Sequence, residues 1–310
     1  MTDSPYNGIA GDITRNCNLR CPFCLSDFSQ YKQKGLMSAE TFEKFLTLLP
    51  LVKEGGTVLL SCLYEPSIHP EWLDLYERVP ADQRKKCVFT TNLARVTEEE
   101  MDRIARLGFQ YMNVSVDSFT PAVFEGIRKG AKFDRFVEHL GYLAARLAEQ
   151  DDPMPLRTIT VVTRENAAEV PAIVERCIGE FGSSKHELRA VYQIDHMDEG
   201  WKRANLAPND VWPEIERFVA ETERDVALET PPERYYPDDG EEYSRTGPAL
   251  PPPGEGERAF PLALRVRSDG LVNLYAKDMC FDIHGLEDPQ RFFREAAKVF
   301  LAECDIVPEG

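Results

Sequence analysis

The sequence Gly8-Ile-Ala-Gly-Asp-Ile-Thr14-Arg-Asn-Cys17-Asn-Leu-Arg-Cys21-Pro-Phe-Cys24 joins a β-rich run to a cysteine motif, and it is the strongest indication of the fold. The three cysteines have CxxxCxxC spacing, on a loop long enough to wrap a metal cluster. Three thiolates with no fourth nearby leave one iron of a cubane cluster open to a substrate or cofactor. A structural zinc site is the main competing hypothesis, but it needs four ligands, usually from paired CxxC motifs. Three free thiols clustered by coincidence are the remaining hypothesis.

Outward from this motif, short β-rich runs alternate with helical segments, a pattern that predicts parallel βαβ units. Ser38 and Thr97, each followed by acidic residues, predict two of the helix starts. Six repeats predict an α/β fold, a partial (β/α)6 TIM barrel with its chemistry at the carboxyl ends of the strands. The predicted strands are Gly8–Thr14, Thr57–Cys62, Lys86–Thr91, Tyr111–Asp117, Leu156–Thr163 and Glu187–Ile194, and the predicted helices cover 38–53, 70–79, 97–108, 132–149 and 167–180.

The composition changes beyond the barrel, and we expect a barrel core over 1–204, a helix and Pro/acid-rich connector over 205–258, and a C-terminal appendage over 259–310. The connector is expected to contain a helix over about 209–227 and an irregular part over 231–253, which holds seven of the 22 prolines. In the appendage, Leu262–Val266 and Leu271–Tyr275 flank Arg267-Ser-Asp-Gly and predict a β-hairpin. A final helix is predicted over about Pro289–Glu303.

The net charge of −17, from 36 basic and 53 acidic residues, argues against nucleic acid or an anionic membrane surface as a partner. Solubility explains most of this excess. A cationic substrate is the sharper hypothesis, because residues 195–258 hold 17 acidic and 7 basic side chains. No run approaches the ~20 apolar residues that span a bilayer, and no signal peptide is evident. Eight cysteines are too few for a disulfide scaffold, so a cytoplasmic, reducing location is expected.

The cysteine motif resembles that of the radical S-adenosylmethionine (SAM) superfamily, over about residues 8–200. The resemblance implies one [4Fe-4S] cluster held by Cys17, Cys21 and Cys24, with SAM chelated by the open iron. It further implies reductive cleavage of SAM to methionine and a 5′-deoxyadenosyl radical, which removes a hydrogen atom from the substrate. An external electron donor of the flavodoxin or ferredoxin type is implied as a partner. Phe23, the aromatic residue before the third cysteine, is implied to lie near the adenine.

Later segments resemble the same superfamily in the same order. Ser61-Cys-Leu-Tyr-Glu65-Pro66 resembles its Gly-Gly-Glu-Pro segment without the glycines, and implies that Glu65 holds the SAM ammonium group. Thr90-Thr91-Asn92 resembles its Thr-Asn-Gly segment, with Leu93 in place of glycine. Strand alternation sends Ser115 and Asp117 to one face. The resemblance implies that SAM contacts include Thr91, Asn92, Ser115, Asp117 and Arg128, and the fifth and sixth strands add the candidates Thr160, Thr163, Asn166, Tyr192, Gln193 and Asp195.

The C-terminal appendage resembles a hairpin and helix that carry auxiliary clusters in relatives, but its usual cysteines are absent. Only Cys280 and Cys304 lie beyond residue 177, so a single cluster is predicted. Cys87, Cys177 and Cys304 are expected to be buried hydrophobic residues, and Cys62 to fill space. Cys280 is predicted to lie in a loop near the barrel mouth, where a functional role is more common than packing.

A thiol opposite the radical has a specific use, because an S–H bond is weaker than most C–H bonds and donates its hydrogen to a carbon radical. This layout resembles radical epimerases of aminoglycosides. The hypothesis is epimerisation of a small, cationic, aminosugar-like substrate with Cys280 as hydrogen donor, and with acids such as Asp195, Asp198, Glu199 or Asp282 neutralising ammonium groups. The competing hypotheses are an incidental thiol at Cys280, a dehydrogenase or eliminase acting on a sugar, a peptide-modifying enzyme, and a non-catalytic iron-sulfur interaction module.

Overall fold

The computed structural model describes residues 6–26, 35–61, 63–192, 197–207, 211–229, 263–274 and 279–303. Within these residues ten strands form a sheet in the order β10-β9-β8-β1-β2-β3-β4-β5-β6-β7. The strands are β1 Tyr6–Gly11, β2 Val52–Leu59, β3 Cys87–Thr91, β4 Tyr111–Ser115, β5 Leu156–Val162, β6 Lys185–Ala190, β7 Val226–Glu229, β8 Ala263–Val266, β9 Leu271–Leu274 and β10 Met279–Asp282.

The helices lie between the strands in the pattern of a TIM barrel, and β1 to β7 pair in parallel. They are α1 Ala39–Leu46, α2 Trp72–Glu77, α3 Glu98–Ala105, α4 Pro121–Ile127, α5 Phe133–Ala148, α6 Val170–Glu175, α7 Glu199–Asn205, α8 Val211–Glu221 and α9 Pro289–Glu303. The prediction of an α/β partial barrel is therefore confirmed. No described helix is both long and apolar enough to cross a membrane.

Buried aromatic side chains join the sheet to α2. Tyr76 packs against Phe89 and Phe109 with ring centroids 5.5 and 6.0 Å apart, in the tilted arrangements that aromatic pairs prefer. The Nε1–H of Trp72 donates to Glu100 Oε1 at 2.7 Å. Glu100 also belongs to the capping box of α3. In this box the Thr97 side chain accepts the Glu100 N–H, and the Glu100 side chain accepts the Thr97 N–H. The predicted caps at Ser38 and Thr97 are both confirmed.

Several boundaries differ from those predicted. The helix predicted over 38–53 ends at Leu46, a 3-10 turn covers Leu49–Leu51, and β2 begins at Val52. The helix predicted over 209–227 ends at Glu221, because the apolar run that follows joins the edge of β6 as β7. Helix α4, which starts at a proline in its first turn, was not predicted. The irregular segment predicted over 231–253 lies outside the described residues.

The C-terminal strands continue the barrel sheet. Strand β8 pairs in parallel with β1, and β9 and β10 add antiparallel strands, so the predicted hairpin is part of a three-stranded meander. The turn between β8 and β9 needs Gly270 (φ 82°), since a Cβ there would lie 2.7 Å from the His284 ring. Helix α9 covers one face of the meander through Phe281, which packs edge-on against Phe292. Cys280 lies in strand β10, so the prediction that it belongs to a loop is wrong.

Candidate active site

The cysteine loop begins directly after β1 and is held by hydrogen bonds within the loop. The Cys17 N–H donates to Asn16 Oδ1 at 2.9 Å, and the Cys24 N–H donates to the Cys21 carbonyl at 3.1 Å. Buried Leu19 anchors the loop in the main core. The loop after α4 approaches closely at Gly130 (φ 104°), where a Cβ would lie 3.3 Å from the Asn18 carbonyl oxygen. The carboxyl end of the barrel therefore presents the three cysteines on a braced loop.

Each of the three cysteine sulfurs faces an N–H donor. The Leu19 amide lies 3.4 Å from Cys17 Sγ, and the Ser26 amide lies 3.4 Å from Cys24 Sγ. Arg128 Nη1 lies 3.9 Å from Cys21 Sγ. N–H donors of this kind stabilise thiolates and surround the sulfurs of iron-sulfur clusters, where they tune the reduction potential. The donor set therefore fits a cluster held by these cysteines.

Burial raises the pKa of two of the thiols. The pKa of Cys17 is raised to about 12 by burial and, secondarily, by the charge of Glu65. Burial also raises the pKa of Cys21, against the opposing effect of the Arg128 charge. A bound metal supplies the positive charge that deprotonates such thiols. Among the described residues no three His, Cys, Asp or Glu side chains are grouped so that they could hold a metal ion. In a cubane each thiolate binds a separate iron, so the cysteines need not converge on one ion.

Glu65 lies in the loop after β2, where it is 3% exposed and caps the 3-10 turn that starts at Pro66. Its Oε1 accepts hydrogen bonds from Ser67 Oγ and Thr91 Oγ1 at 2.7 and 2.8 Å. Its Oε2 accepts one from the Asn92 N–H at 2.7 Å. Burial raises the pKa of Glu65, and these hydrogen bonds lower it. The described contacts leave Oε2 with capacity for another donor, such as an ammonium group.

Asn92 lies between Glu65 and the cysteine loop. Its side-chain Nδ2 donates to Cys17 Sγ at 3.5 Å and to Asn18 Oδ1 at 3.0 Å. Leu93, which follows, has φ 59°, a left-handed conformation that glycine adopts far more readily. Leu93 therefore has a backbone conformation typical of glycine, although its side chain is fully buried.

Asp117 and Arg128 form a buried ion pair beside the cysteine loop. Asp117 is 0% exposed, and it binds the Val161 N–H through Oδ1 and Arg128 Nε through Oδ2. Burial lowers the pKa of Arg128, but the charge and hydrogen bond of Asp117 together with the charges of Cys21 and Cys17 outweigh this effect and raise it. Arg128 thus stays charged next to Cys21, and Asp117 holds it there. Ser115 lies half-buried at the end of β4.

Phe23 is buried in a small apolar cluster at the same end of the barrel. The cluster contains Ile127, Val191 and Leu206, and the ring of Trp201 lies 6.4 Å from that of Phe23. The guanidinium carbon of Arg128 lies 5.7 Å from the centre of the Phe23 ring. Phe23 therefore connects the cysteine loop to the carboxyl ends of the fifth and sixth strands, and the structure brings it together with the ion pair.

The other candidates from these strands have different positions. Thr160 is fully buried and donates to the Val116 carbonyl, while Asn166 binds Thr163 and the Asp117 carbonyl, so both tie strands together. Tyr192 is 39% exposed and donates to Glu229. Gln193 and Asp195 lie outside the described residues.

The remaining acids and cysteines have mainly structural contacts where the structure describes them. Asp198 caps α7, and Asp282 accepts the His284 N–H at 2.9 Å. Glu199 pairs with Lys202 at 2.6 Å. Cys87 and Cys177 are buried as predicted, whereas Cys62 and Cys304 lie outside the described residues.

The sequence analysis missed an ion pair that joins the residue after β1 to strand β8. Arg265 of β8 contacts Asp12 at 3.0 Å, and Asp12, which is buried, also accepts the Leu63 N–H at 3.1 Å. Asp12 directly follows β1, and a polar residue at the end of a buried strand is the signal that could have found it. Its partner could not have been found, because it comes from a strand whose pairing with β1 is long-range.

Comparison with known proteins agrees with this geometry. The radical SAM superfamily profile matches residues 12–177. The AdoMet-dependent heme synthase of Nitratidesulfovibrio vulgaris is 26% identical over 173 residues, which cover 54% of this chain and 44% of that protein. Mycofactocin maturase MftC of Mycobacterium tuberculosis is 26% identical over 209 residues, which cover 66% of this chain and 46% of MftC. The similarity thus spans less than half of the length of these relatives.

Two solved structures share the fold. Streptococcus suis SuiB bound to S-adenosylmethionine has a TM-score of 0.59 and 13% identity over 93% of this chain and 68% of SuiB. Native anSMEcpe with bound AdoMet has a TM-score of 0.56 and 15% identity over 90% of this chain and 75% of that protein. The chain belongs to the radical SAM superfamily, because the family profile covers more than half of it. Members of this family use a [4Fe-4S] cluster and SAM.

Proposed function

We propose that the chain is a radical SAM enzyme that acts on a small cationic substrate, with epimerisation as its reaction. The N–H donors around the three cysteine sulfurs support the proposal of radical SAM chemistry, as does buried Glu65 beside them. The cluster and SAM together supply a 5′-deoxyadenosyl radical that removes a hydrogen atom from the substrate. In this proposal Cys17, Cys21 and Cys24 hold the cluster, and Oε2 of Glu65 accepts the ammonium group of SAM.

The remaining residues of the site position SAM and the substrate. Arg128, held by Asp117, keeps a positive charge beside Cys21. Thr91 and Asn92 hold Glu65 in place through two hydrogen bonds. Phe23 offers an apolar surface for the adenine, and Ser115 adds a hydroxyl at the end of β4. The negative net charge of −17 supports a cationic substrate, because it attracts ammonium groups.

The pairing of β10 supports Cys280 as the hydrogen donor. Cys280 is paired with Asn273, Asn273 with Arg265, and Arg265 with Ala10 of β1. Three interstrand steps of about 4.8 Å separate the backbone of β10 from that of β1 by about 14 Å. Phe281, the neighbour of Cys280, packs against α9. The backbone of residue 280 therefore shares its register with Arg265, which contacts Asp12 at the end of β1.

The proposed reaction conserves atoms and electrons. One electron from the external donor would cleave SAM, and the radical so supplied would take a hydrogen atom from a C–H bond of the substrate, which would leave 5′-deoxyadenosine and a substrate radical. The Cys280 S–H bond then breaks, its hydrogen atom forms a C–H bond on the opposite face, and a thiyl radical remains. One electron from a donor of the flavodoxin or ferredoxin type and one proton restore the thiol.

Two experiments test the proposal. The first is anaerobic cluster reconstitution with SAM and dithionite, followed by mass spectrometry for 5′-deoxyadenosine, with Cys21→Ala as the control. We expect 5′-deoxyadenosine from the wild type alone, and a fully loaded wild type that forms none would refute the enzyme proposal.

The second experiment is incubation with a panel of aminoglycosides in deuterated water. Epimerisation should place one deuterium at the inverted carbon, and Cys280→Ala should abolish the epimer while SAM cleavage persists.

A peptide substrate is the second candidate, and one similar structure favours it. This structure is SuiB bound to its precursor peptide SuiA, with a TM-score of 0.58 and 16% identity. The deuterium experiment separates the two candidates, because a peptide-modifying enzyme should leave every aminoglycoside unlabelled. A dehydrogenase or eliminase would convert the sugar without placing deuterium at an inverted carbon.

A further inference from the structure

We propose that Asn92 is a positioning residue that raises the reduction potential of the cluster by donating a side-chain N–H to Cys17. This inference rests on the proposed function only in requiring that a cluster occupies Cys17, Cys21 and Cys24. The Nδ2 atom of Asn92 lies 3.5 Å from Cys17 Sγ. Asn92 itself directly follows β3, 75 residues along the chain from Cys17, and is 8% exposed.

The orientation of the Asn92 amide follows from its partners. The Ala94 N–H, which can only donate, lies 2.9 Å from the Asn92 oxygen, so this atom is Oδ1 and the other is Nδ2. One N–H of Nδ2 then points to Cys17 Sγ and the other to Asn18 Oδ1 at 3.0 Å. The reversed amide would place an NH₂ group against the Ala94 N–H, so only this orientation satisfies all three partners.

The turn that carries Asn92 is held in place from both sides. The Thr91 hydroxyl donates to Glu65 and accepts the Leu93 N–H at 3.1 Å. The Leu93 carbonyl in turn contacts His139 Nδ1 at 3.1 Å. Because its neighbours fix the turn, the Asn92 amide approaches the sulfur in one geometry rather than as one of several rotamers.

The electrostatic consequence has a definite sign. Reduction adds one negative charge to the cluster and its thiolates, and an N–H dipole aimed at a thiolate stabilises that charge. The reduced state gains more than the oxidised state, so the potential rises. Water screens this interaction little, because Asn92 is almost fully buried.

Asn92 uses different groups for its two partners. Its main-chain N–H binds Glu65 Oε2 at 2.7 Å, and its side chain binds Cys17. A side-chain substitution therefore removes the contact with the sulfur and keeps the contact with the carboxylate. Asn92→Ser is the sharpest variant, since a serine hydroxyl accepts the N–H two residues ahead but is too short to reach the sulfur.

The test is a potentiometric titration of the reconstituted full chain without SAM, followed by electron paramagnetic resonance of the reduced cluster. The variants are Asn92→Ser, Asn92→Asp and, as the control, Asn113→Ser. Asn113 is also 8% exposed, but its Nδ2 donates to Thr90 Oγ1 at 3.4 Å. We expect a lower midpoint potential for Asn92→Ser, a still lower one for Asn92→Asp, whose carboxylate repels the added electron, and no change for Asn113→Ser.

Two results would overturn the proposal. One is a midpoint potential of Asn92→Ser or Asn92→Asp equal to that of the wild type at full iron content. The other is loss of the cluster from both Asn92 variants while Asn113→Ser loads fully, which would make Asn92 a structural requirement of the loop. The potentials need no turnover, so a wild type that forms no 5′-deoxyadenosine would refute the proposed function and leave this test intact.

Discussion

Replacement of Asp117 by asparagine should destabilise the protein far more than the same change at a surface ion pair. Asp117 is 0% exposed and binds buried Arg128. The amide keeps an oxygen for the Val161 N–H, but it presents an NH₂ group to Arg128 in place of a carboxylate. The guanidinium then lacks its counter-charge.

The magnitude follows from burial. Breaking a buried pair by removing one partner costs about 3–5 kcal/mol, because an uncompensated charge is left inside. Asp102→Asn is the matched control, since Asp102 also binds an arginine, Arg146, at 2.7 Å. The side chains of that pair are 31% and 32% exposed, and such pairs contribute about 0–1 kcal/mol. The expected difference between the two variants is therefore about 2–5 kcal/mol.

The assay is urea unfolding of the cluster-free full chain at pH 7, followed by circular dichroism. The double variant Asp117→Leu with Arg128→Met should recover part of the loss, because it removes both charges and keeps apolar volume. If the free energy of unfolding of Asp117→Asn lies within about 1 kcal/mol of the wild-type value, the assignment of a buried, charge-compensated pair is refuted.

Three further predictions concern Glu65, His186 and Leu93. Glu65→Gln should weaken SAM binding by about tenfold or more, since a hydrogen bond to a charged group contributes about 1.5–3 kcal/mol; unchanged affinity in a calorimetric titration would contradict its role. Burial lowers the pKa of His186 to about 4 from its usual 6.5, so the folded state keeps it neutral. The contribution of this pKa shift to the free energy of unfolding is at most about 3 kcal/mol. It is fully present above pH 6.5 and is lost as the pH falls towards 4. His186→Gln should therefore reduce the pH dependence of the free energy of unfolding between pH 6.5 and 5. An unaltered pH dependence would contradict a buried, neutral His186. Leu93 has φ 59°, so Leu93→Ala should be less stable than Leu93→Gly by about 1 kcal/mol, and the reverse order in urea unfolding would exclude backbone strain.

Much of the barrel was predictable because its signals are local. The strand pattern and the helix caps depend on residues a few positions apart, and all six predicted strands of the barrel are present. Strand β7 and the 3-10 turn before β2 were not predictable, because neighbouring elements decide whether a short apolar run becomes helix or strand. The role of Cys280 stays a prediction.

The cysteine loop and its chemistry could be predicted without a structure, because three ligands within eight residues are recognised by their spacing. The groups that surround the sulfurs, in contrast, are brought there by long-range packing. Asn92 reaches Cys17 from 75 residues away and Arg128 reaches Cys21 from 107. Arg265 reaches Asp12 from 253 residues away. Such contacts depend on which strands are neighbours and in what register they pair, and no local period of the sequence encodes that information.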